Sequence, residues 1–303
     1  MMRRRIVVAV VAAGVALAVI GLLMVAGQQG WFGGKPKRLL ARGLHAQQAG
    51  QWPEAQKNFE ELIATYPDAP WTDQALLGLG QVYEAQQQWV EARATYQRLV
   101  EQFPNSRLMS ATQSRLGHVN VSLLFSPTLT DLDREYEVQP GDSLGKIAAA
   151  NSTTVELLRK ANNLKSDVIR PRQKLKVPKG KFSIVVDKSQ NELLLTEEDR
   201  FVKSYVIATG KDNSTPVGAF KIVTKIPNPV WYKQGAVVPP ESPENILGTR
   251  WLGLNKQGYG IHGSVDPAAL GKQVTAGCVR MANHDVEELF GIVPVGTDVT
   301  IVD

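Results

Sequence analysis

Apolar residues recur along this chain in three rhythms. Ile6 to about Ala26 is an unbroken apolar run without a charged residue. At 1.5 Å rise per residue it is long enough to span a bilayer core of about 30 Å. From about residue 39 to 124 apolar positions repeat at helical spacing. After Lys179-Gly180 they fall into strand-like runs: Phe182 to Val186, Glu192 to Leu195, Val202 to Ala208 and Phe220 to Val223. The segment between reads strand, helix, helix, strand. Tyr136-Glu137-Val138 alternates, Pro140-Gly141-Asp142 turns, and Ser143 opens a helix through Leu144, Ile147 and Ala148. Thr153 with Glu156 predicts a capping box for a second helix through Leu157 and Leu158, and a last strand carries Leu175 and Val177 to Pro178. The expected architecture is multidomain: a membrane anchor (1–27), a linker (28–38), all-α hairpins (39–124), a linker (125–134), a small α+β module (135–179) and a β-dominated domain (181–303).

The helical part repeats itself. Gly43, Gly80 and Gly117 are evenly spaced, as are Trp52 with Trp89, Ala55 with Ala92, Phe59 with Tyr96, and Pro67 with Pro104, a period of about 37 residues. With Leu79-Gly80, Tyr83, Ala92, Tyr96 and Pro104 in place, residues 39–124 resemble tetratricopeptide repeats. The first unit departs at Ala46, where an aromatic is usual, and the third stops after one helix. The resemblance implies two helical hairpins with a capping helix, and a surface for a protein partner. The aromatics are core positions, and His45 and His118 are packing or surface residues rather than metal ligands.

The small module, with YEVQPGDSLGKIA, Asn162-Asn163-Leu164 and IRPRQKLKVP, resembles a LysM domain. That implies binding of N-acetylglucosamine-containing glycan in a groove over Gly141, Asp142, Ser143 and Leu144 and over Val168 to Pro171, including Ile169 and Arg170. Gly145 stands where a large residue is common, and Arg172 where glycine usually makes the last turn.

Charge places the chain. Arg3, Arg4 and Arg5 precede the apolar run, and positive residues stay cytoplasmic, so the domains are expected on the outer side of a membrane. The formal net charge of +5 comes from scattered Lys and Arg. No basic stretch interleaved with aromatics points to nucleic acid, whereas a polyanionic envelope suits such a charge. Cys278 is the only cysteine. An exported chain with one cysteine forms no internal disulfide, and a spare thiol in an oxidising compartment is a liability unless it reacts.

A lone cysteine is more often a small buried hydrophobe than a nucleophile. Its surroundings reverse this reading. Gly277 before Cys278 lets a substrate approach the backbone, and the amides of Ala276, Gly277 and Cys278 are expected to face a developing oxyanion. His262, flanked by Gly260 and Gly263, is the candidate base. His284 competes, but Asp285 with Glu288 reads as the cap of a helix through Val286, Leu289 and Phe290, with His284 at its entrance. A cysteine and a histidine without metal-ligand spacing point to acyl transfer, with no metal or cofactor expected.

Thr215-Pro216-Val217-Gly218-Ala219-Phe220, Gly248-Thr249-Arg250-Trp251, Tyr259-Gly260-Ile261-His262-Gly263 and Thr275 to Met281 resemble, in order and spacing, the L,D-transpeptidase catalytic domain of the YkuD type. The resemblance implies that Cys278 attacks the bond between a diamino acid and D-alanine in a peptidoglycan stem and passes the acyl group to a neighbouring stem. It makes His262 the base and the Gly263 carbonyl its orienter. Arg280 is positioned for a forked contact with a substrate carboxylate, or for a salt bridge within its loop. Thr275 either orients the loop or caps the turn. Many members carry histidine where Ala276 stands, so only backbone is offered there. Water as acceptor gives the alternative of an L,D-carboxypeptidase, and a vestigial site the alternative of a wall-binding scaffold.

Overall fold

The computed structural model describes residues 34–303 except Gln234. The anchor expected over residues 1–27 lies outside the described residues, and among those described no helix is long and apolar enough to cross a membrane. The chain divides into two compact units at residues 112 and 113.

The first unit holds α1 (Lys35–Gln48), α2 (Trp52–Thr65), α3 (Thr72–Ala85) and α4 (Trp89–Gln102). Helix α1 starts inside the expected linker because Pro36, which has no amide hydrogen to lose, sits in its first turn. The repeat's glycines meet its aromatics. A Cβ on Gly43 or Gly78 would lie 2.5 or 2.6 Å from the Phe59 ring, and one on Gly80 2.2 Å from Tyr96. Phe59 and Tyr96 are fully buried, so the spacing of small and large residues is what lets these hairpins pack.

Helix α5 (Met109–Leu124) begins in the first unit and ends in the second. The sequence predicts it as a cap on the repeats. Its C-terminal half instead serves the second unit, since Val121 and Leu124 are buried in the core that Ile184, Leu195 and Ile301 also build.

In the second unit, β1 (Asp133–Glu137) pairs antiparallel with β2 (Lys174–Pro178), and α6 (Leu144–Ala150) and α7 (Val155–Ala161) lie between them in sequence. The second helix is capped one residue later than expected. Thr154 accepts the Leu157 N–H at 2.9 Å, while Glu156 pairs with Lys160 at 2.9 Å instead of reaching back to a cap. The Thr153 hydroxyl is buried and makes no hydrogen bond.

The rest is an eight-stranded sheet in the order β13-β11-β10-β7-β14-β3-β4-β5. Its strands are β3 (Phe182–Asp187), β4 (Glu192–Glu197), β5 (Arg200–Val206), β7 (Gly218–Pro227), β10 (Arg250–Leu254), β11 (Gly260–His262), β13 (Val279–Arg280) and β14 (Asp298–Val302). The short pairs β6 (Thr209–Gly210) with β12 (Gln273–Thr275), and β8 (Trp231–Lys233) with β9 (Ala236–Val238), stand apart. Helix α8 (Asn283–Ile292) follows β13. Strand β14, not among the four predicted runs, sits mid-sheet, parallel to β3 and antiparallel to β7.

The LysM-like module is built into this unit. Leu157 of α7 lies in the same core as the sheet, and the Thr154 hydroxyl donates to the Gly291 carbonyl of α8. Lys176 of β2, 4% exposed, donates to the carbonyls of Leu123 at 2.7 Å, Ser126 at 3.1 Å and Thr128 at 2.8 Å, and pairs with Asp133 at 3.3 Å.

Candidate active site

At one edge of the sheet β11 ends in His262, and its partner β13 begins one residue after Cys278. Strand β11 runs parallel to β13, with Ile261 opposite Val279 and His262 opposite Arg280. Residues opposite one another on paired strands share a face, so Arg280 projects to the face that carries His262. The loop before the cysteine is fixed by Thr275 of β12, paired with Gly210 of β6. Beyond it, Ala208 and Arg280 exchange backbone hydrogen bonds of 2.8 and 2.9 Å.

The turn over residues 275–278 is closed by one hydroxyl. Thr275, buried, donates to the Cys278 carbonyl at 2.6 Å and accepts the Gly277 N–H at 3.2 Å. Of the two roles open to Thr275, the geometry gives it closure of the turn. The same bond corrects the expectation of three free amides: the Gly277 N–H is already engaged. Gly277 has φ +130°, and a Cβ there would sit 2.9 Å from Tyr259, so backbone and space both demand glycine.

His262 is 2% exposed. Its Nδ1 lies 2.7 Å from the Gly263 carbonyl, a contact that makes Nδ1 the protonated nitrogen and puts the lone pair of the neutral ring on Nε2. The ring stacks on Trp251, with centroids 5.9 Å apart and planes 19° from parallel. Burial pulls its pKa down to about 4, helped by the Arg280 charge and opposed by the Gly263 and Leu247 carbonyls. The Cys278 thiol is half-buried, with Sγ donating to the Gly258 carbonyl at 3.5 Å. Burial pushes its pKa above the ordinary thiol value, against the opposing Gly260 amide and Arg280 charge. At neutral pH the resting site therefore holds a thiol and a neutral imidazole. The Arg280 Nε is buried without a hydrogen-bond partner.

The catalytic-domain model of the L,D-transpeptidases matches residues 181–301, the LysM domain model residues 136–178 and the tetratricopeptide repeat model residues 40–107. A putative L,D-transpeptidase YkuD of Bacillus licheniformis is 40% identical over 174 residues, covering 55% of this chain and 97% of the relative. The chain belongs to the L,D-transpeptidase family. The YkuD protein of Bacillus subtilis is 37% identical over 173 residues, with the same shares of 55% and 97%. A solved L,D-transpeptidase from Mycobacterium smegmatis aligns with TM-score 0.36 and 18% identity, covering 43% of this chain and 63% of that chain.

Other candidate residues of this L,D-transpeptidase separate into those near a groove and those that shape the fold. His284 has a side chain 82% exposed and pairs with Asp285 at 3.1 Å. Helix α8 starts at Asn283, two residues before the expected cap, and Asp285 lies in its first turn. In the LysM domain Leu144 is buried in the core, which corrects its placement in a glycan-contacting groove: it is the apolar first-turn residue of α6. Asp142 accepts the Tyr136 hydroxyl and the Gln139 N–H, each at 2.8 Å, and Ser143 caps α6 through the Lys146 N–H at 3.3 Å. Gly141, with φ +87°, turns the chain. Ile169 is half-buried against the module's core. Arg170 is exposed and lines an open groove of about 570 Å³ with Ser166, Val168, Pro171, Arg172 and Gln173. Arg172 adopts φ +67°, the left-handed conformation expected where glycine usually stands.

Proposed function

We propose that this chain cross-links peptidoglycan stem peptides through a thioester on Cys278. The observation that carries the reading is the turn that presents Cys278 immediately before the strand paired with that of His262, in a chain of the L,D-transpeptidase family.

As substrate binds, Cys278 gives its proton to the His262 Nε2, and the sulfur attacks the carbonyl that joins the diamino acid to D-alanine. The Ala276 and Cys278 amides serve the tetrahedral oxyanion, since the Gly277 amide is held by Thr275. The C–N bond breaks, His262 returns the proton to the departing amine, and the acyl group remains on sulfur. The side-chain amine of a second stem then attacks the thioester, loses a proton to His262 and leaves a new amide with the thiol restored. Arg280, with its unpartnered Nε, takes a carboxylate of the donor stem. None of these steps consumes ATP.

The LysM domain holds the glycan along the groove that Arg170 lines, while the apolar run at Ile6 to Ala26 anchors the chain with its domains on the outer side. The repeats offer a surface for a protein partner. Sedimentation with purified peptidoglycan tests the glycan role: loss of binding on Arg170→Ala supports it, and binding equal to the parent contradicts it. Incubation with tetrapeptide muropeptides, read by mass spectrometry, tests the reaction. A cross-linked dimer with loss of D-alanine, absent in Cys278→Ala, supports transpeptidation. Free tripeptide alone gives the carboxypeptidase, and unchanged substrate the scaffold.

A further inference from the structure

The Gly263 carbonyl lies 2.7 Å from the His262 Nδ1, and the Leu247 carbonyl acts on the same ring by raising its pKa. They belong to separate turns, one following β11 and one preceding β10. The Gly263 N–H donates to the Arg250 carbonyl of β10 at 3.2 Å, and the Leu247 N–H to the Asn245 Oδ1 at 3.0 Å.

One side chain joins the two turns. The Asn283 Oδ1 accepts the Thr249 N–H at 3.2 Å and the Ser264 N–H at 3.1 Å. Thr249 lies two residues beyond Leu247, and Ser264 one beyond Gly263. The two glycines make room: a Cβ on Gly248 or on Gly263 would stand 2.2 Å from that same oxygen. Gly248 also adopts φ +62°, where a side chain is strained. Asn283 opens α8, and the Met281 N–H just before it donates to the His262 carbonyl at 2.8 Å. The segment that follows the nucleophile, from β13 into α8, thus carries the residue that holds the base's turns.

We propose that Asn283 is a positioning residue for acylation, its side-chain oxygen clamping the two turns whose carbonyls act on His262 and so setting how Nε2 is presented to the thiol. This rests on the assignment of Cys278 and His262 made above. The role needs an acceptor at that point and tolerates nothing larger on either turn. Asparagine supplies two lone pairs without adding charge beside the imidazole.

The test measures the rate of D-alanine release from a tetrapeptide muropeptide in a single turnover, across pH, with the full chain in detergent. Asn283→Leu keeps the volume and removes the acceptor, while Asn283→Asp keeps the acceptor. The expected result is a loss of about 100-fold in the leucine variant, the scale of a misplacement near 1 Å, with the concentration that half-saturates the single-turnover rate unchanged and most of the rate retained in the aspartate variant. The acid limb of the leucine profile also moves up from about 4, because a loosened ring gains water and burial is the main cause of its low value. A leucine variant with the parent's rate and acid limb overturns the inference, as does equal loss in both variants. Where Asn283→Leu does not fold, Asn283→Ala replaces it. If neither folds while Asn283→Asp does, the side chain serves folding alone and the positioning role fails. Cys278→Ala and His262→Ala run alongside. A parent that releases no D-alanine, or a His262→Ala that matches it, sinks the underlying assignment rather than the role of Asn283.

Discussion

A buried imidazole that must take a proton needs one nitrogen tied and a lone pair on the other. His262 meets this with Nδ1 on the Gly263 carbonyl and a ring stacked on Trp251. The exposed His284 has no such setting. His262→Ala is expected to slow acylation by about 100- to 10,000-fold, His284→Ala to leave most of the rate, and Cys278→Ala to abolish it, as read by D-alanine release. The reverse order of the two histidines would overturn the assignment. The neutral pair also has a pH signature. His262 has a folded pKa of about 4, below its ordinary value of 6.5. Its contribution to stability is therefore complete above about 6.5 and lost as pH falls through 4. Urea midpoints should drop over that window, and drop less in His262→Ala. The candidates Cys278 and His262 were legible in the sequence because each is chemically distinctive and stands beside glycine. Asn283 was not, because its partners lie 34 and 19 residues away and only the fold brings them to one oxygen. The engagement of the Gly277 amide was hidden for a similar reason: it depends on the rotamer of Thr275.

At the scale of elements, edges decide much of the design. Strand β5 ends the sheet, and its pairing with β4 shifts register beside Leu195 and Thr196. Asn120 of α5 donates to the neighbouring Phe201 and Val202 carbonyls at 3.0 Å each, so the helix covers an edge that is otherwise open to pairing. Asn120→Ala should lower stability by about 1–3 kcal/mol in urea unfolding without changing the acylation rate. A change below measurement would show that water replaces these bonds. Helical periodicity made α5 predictable, but not its allegiance. Val121 and Leu124 stand where the earlier units carry Glu84 with Gln47 and Gln87 with Gly50, and only the fold shows that they are buried in the core of the second unit. Strand β14 went unread because its alternation is short, with Val299 and Ile301 buried between more exposed neighbours.

At the scale of the whole second unit, the glycan module and the catalytic sheet share buried charge. Glu197 of β4 is 3% exposed, packs where a Cβ on Gly180 would collide with it, and leaves Oε1 without a partner. Burial first, and Asp133 next, push its pKa up to about 7, against the pull of Lys176. A folded value above the ordinary 4.5 favours the fold below about 4.5 and costs stability as pH rises through 7. Glu197→Gln should therefore raise the melting temperature at pH 8 and leave it unchanged at pH 5. An equal gain at both would place the effect in packing rather than charge. Through Lys176, Thr154 and Leu157 the LysM domain is part of the body that carries the active site. The groove that Arg170 lines and the thiol thus belong to one compact unit. The sequence marked the domains by their motifs, but their fusion rests on these few buried contacts between distant segments.

The most direct measurement is the intact mass of the full chain, quenched in acid within the first turnover on a tetrapeptide muropeptide and then mapped by proteolysis. The account predicts an adduct of the donor stem less D-alanine, carried on the peptide that contains Cys278 and absent from Cys278→Ala. D-alanine released without any adduct in the parent, or an adduct that persists in Cys278→Ala, would contradict it.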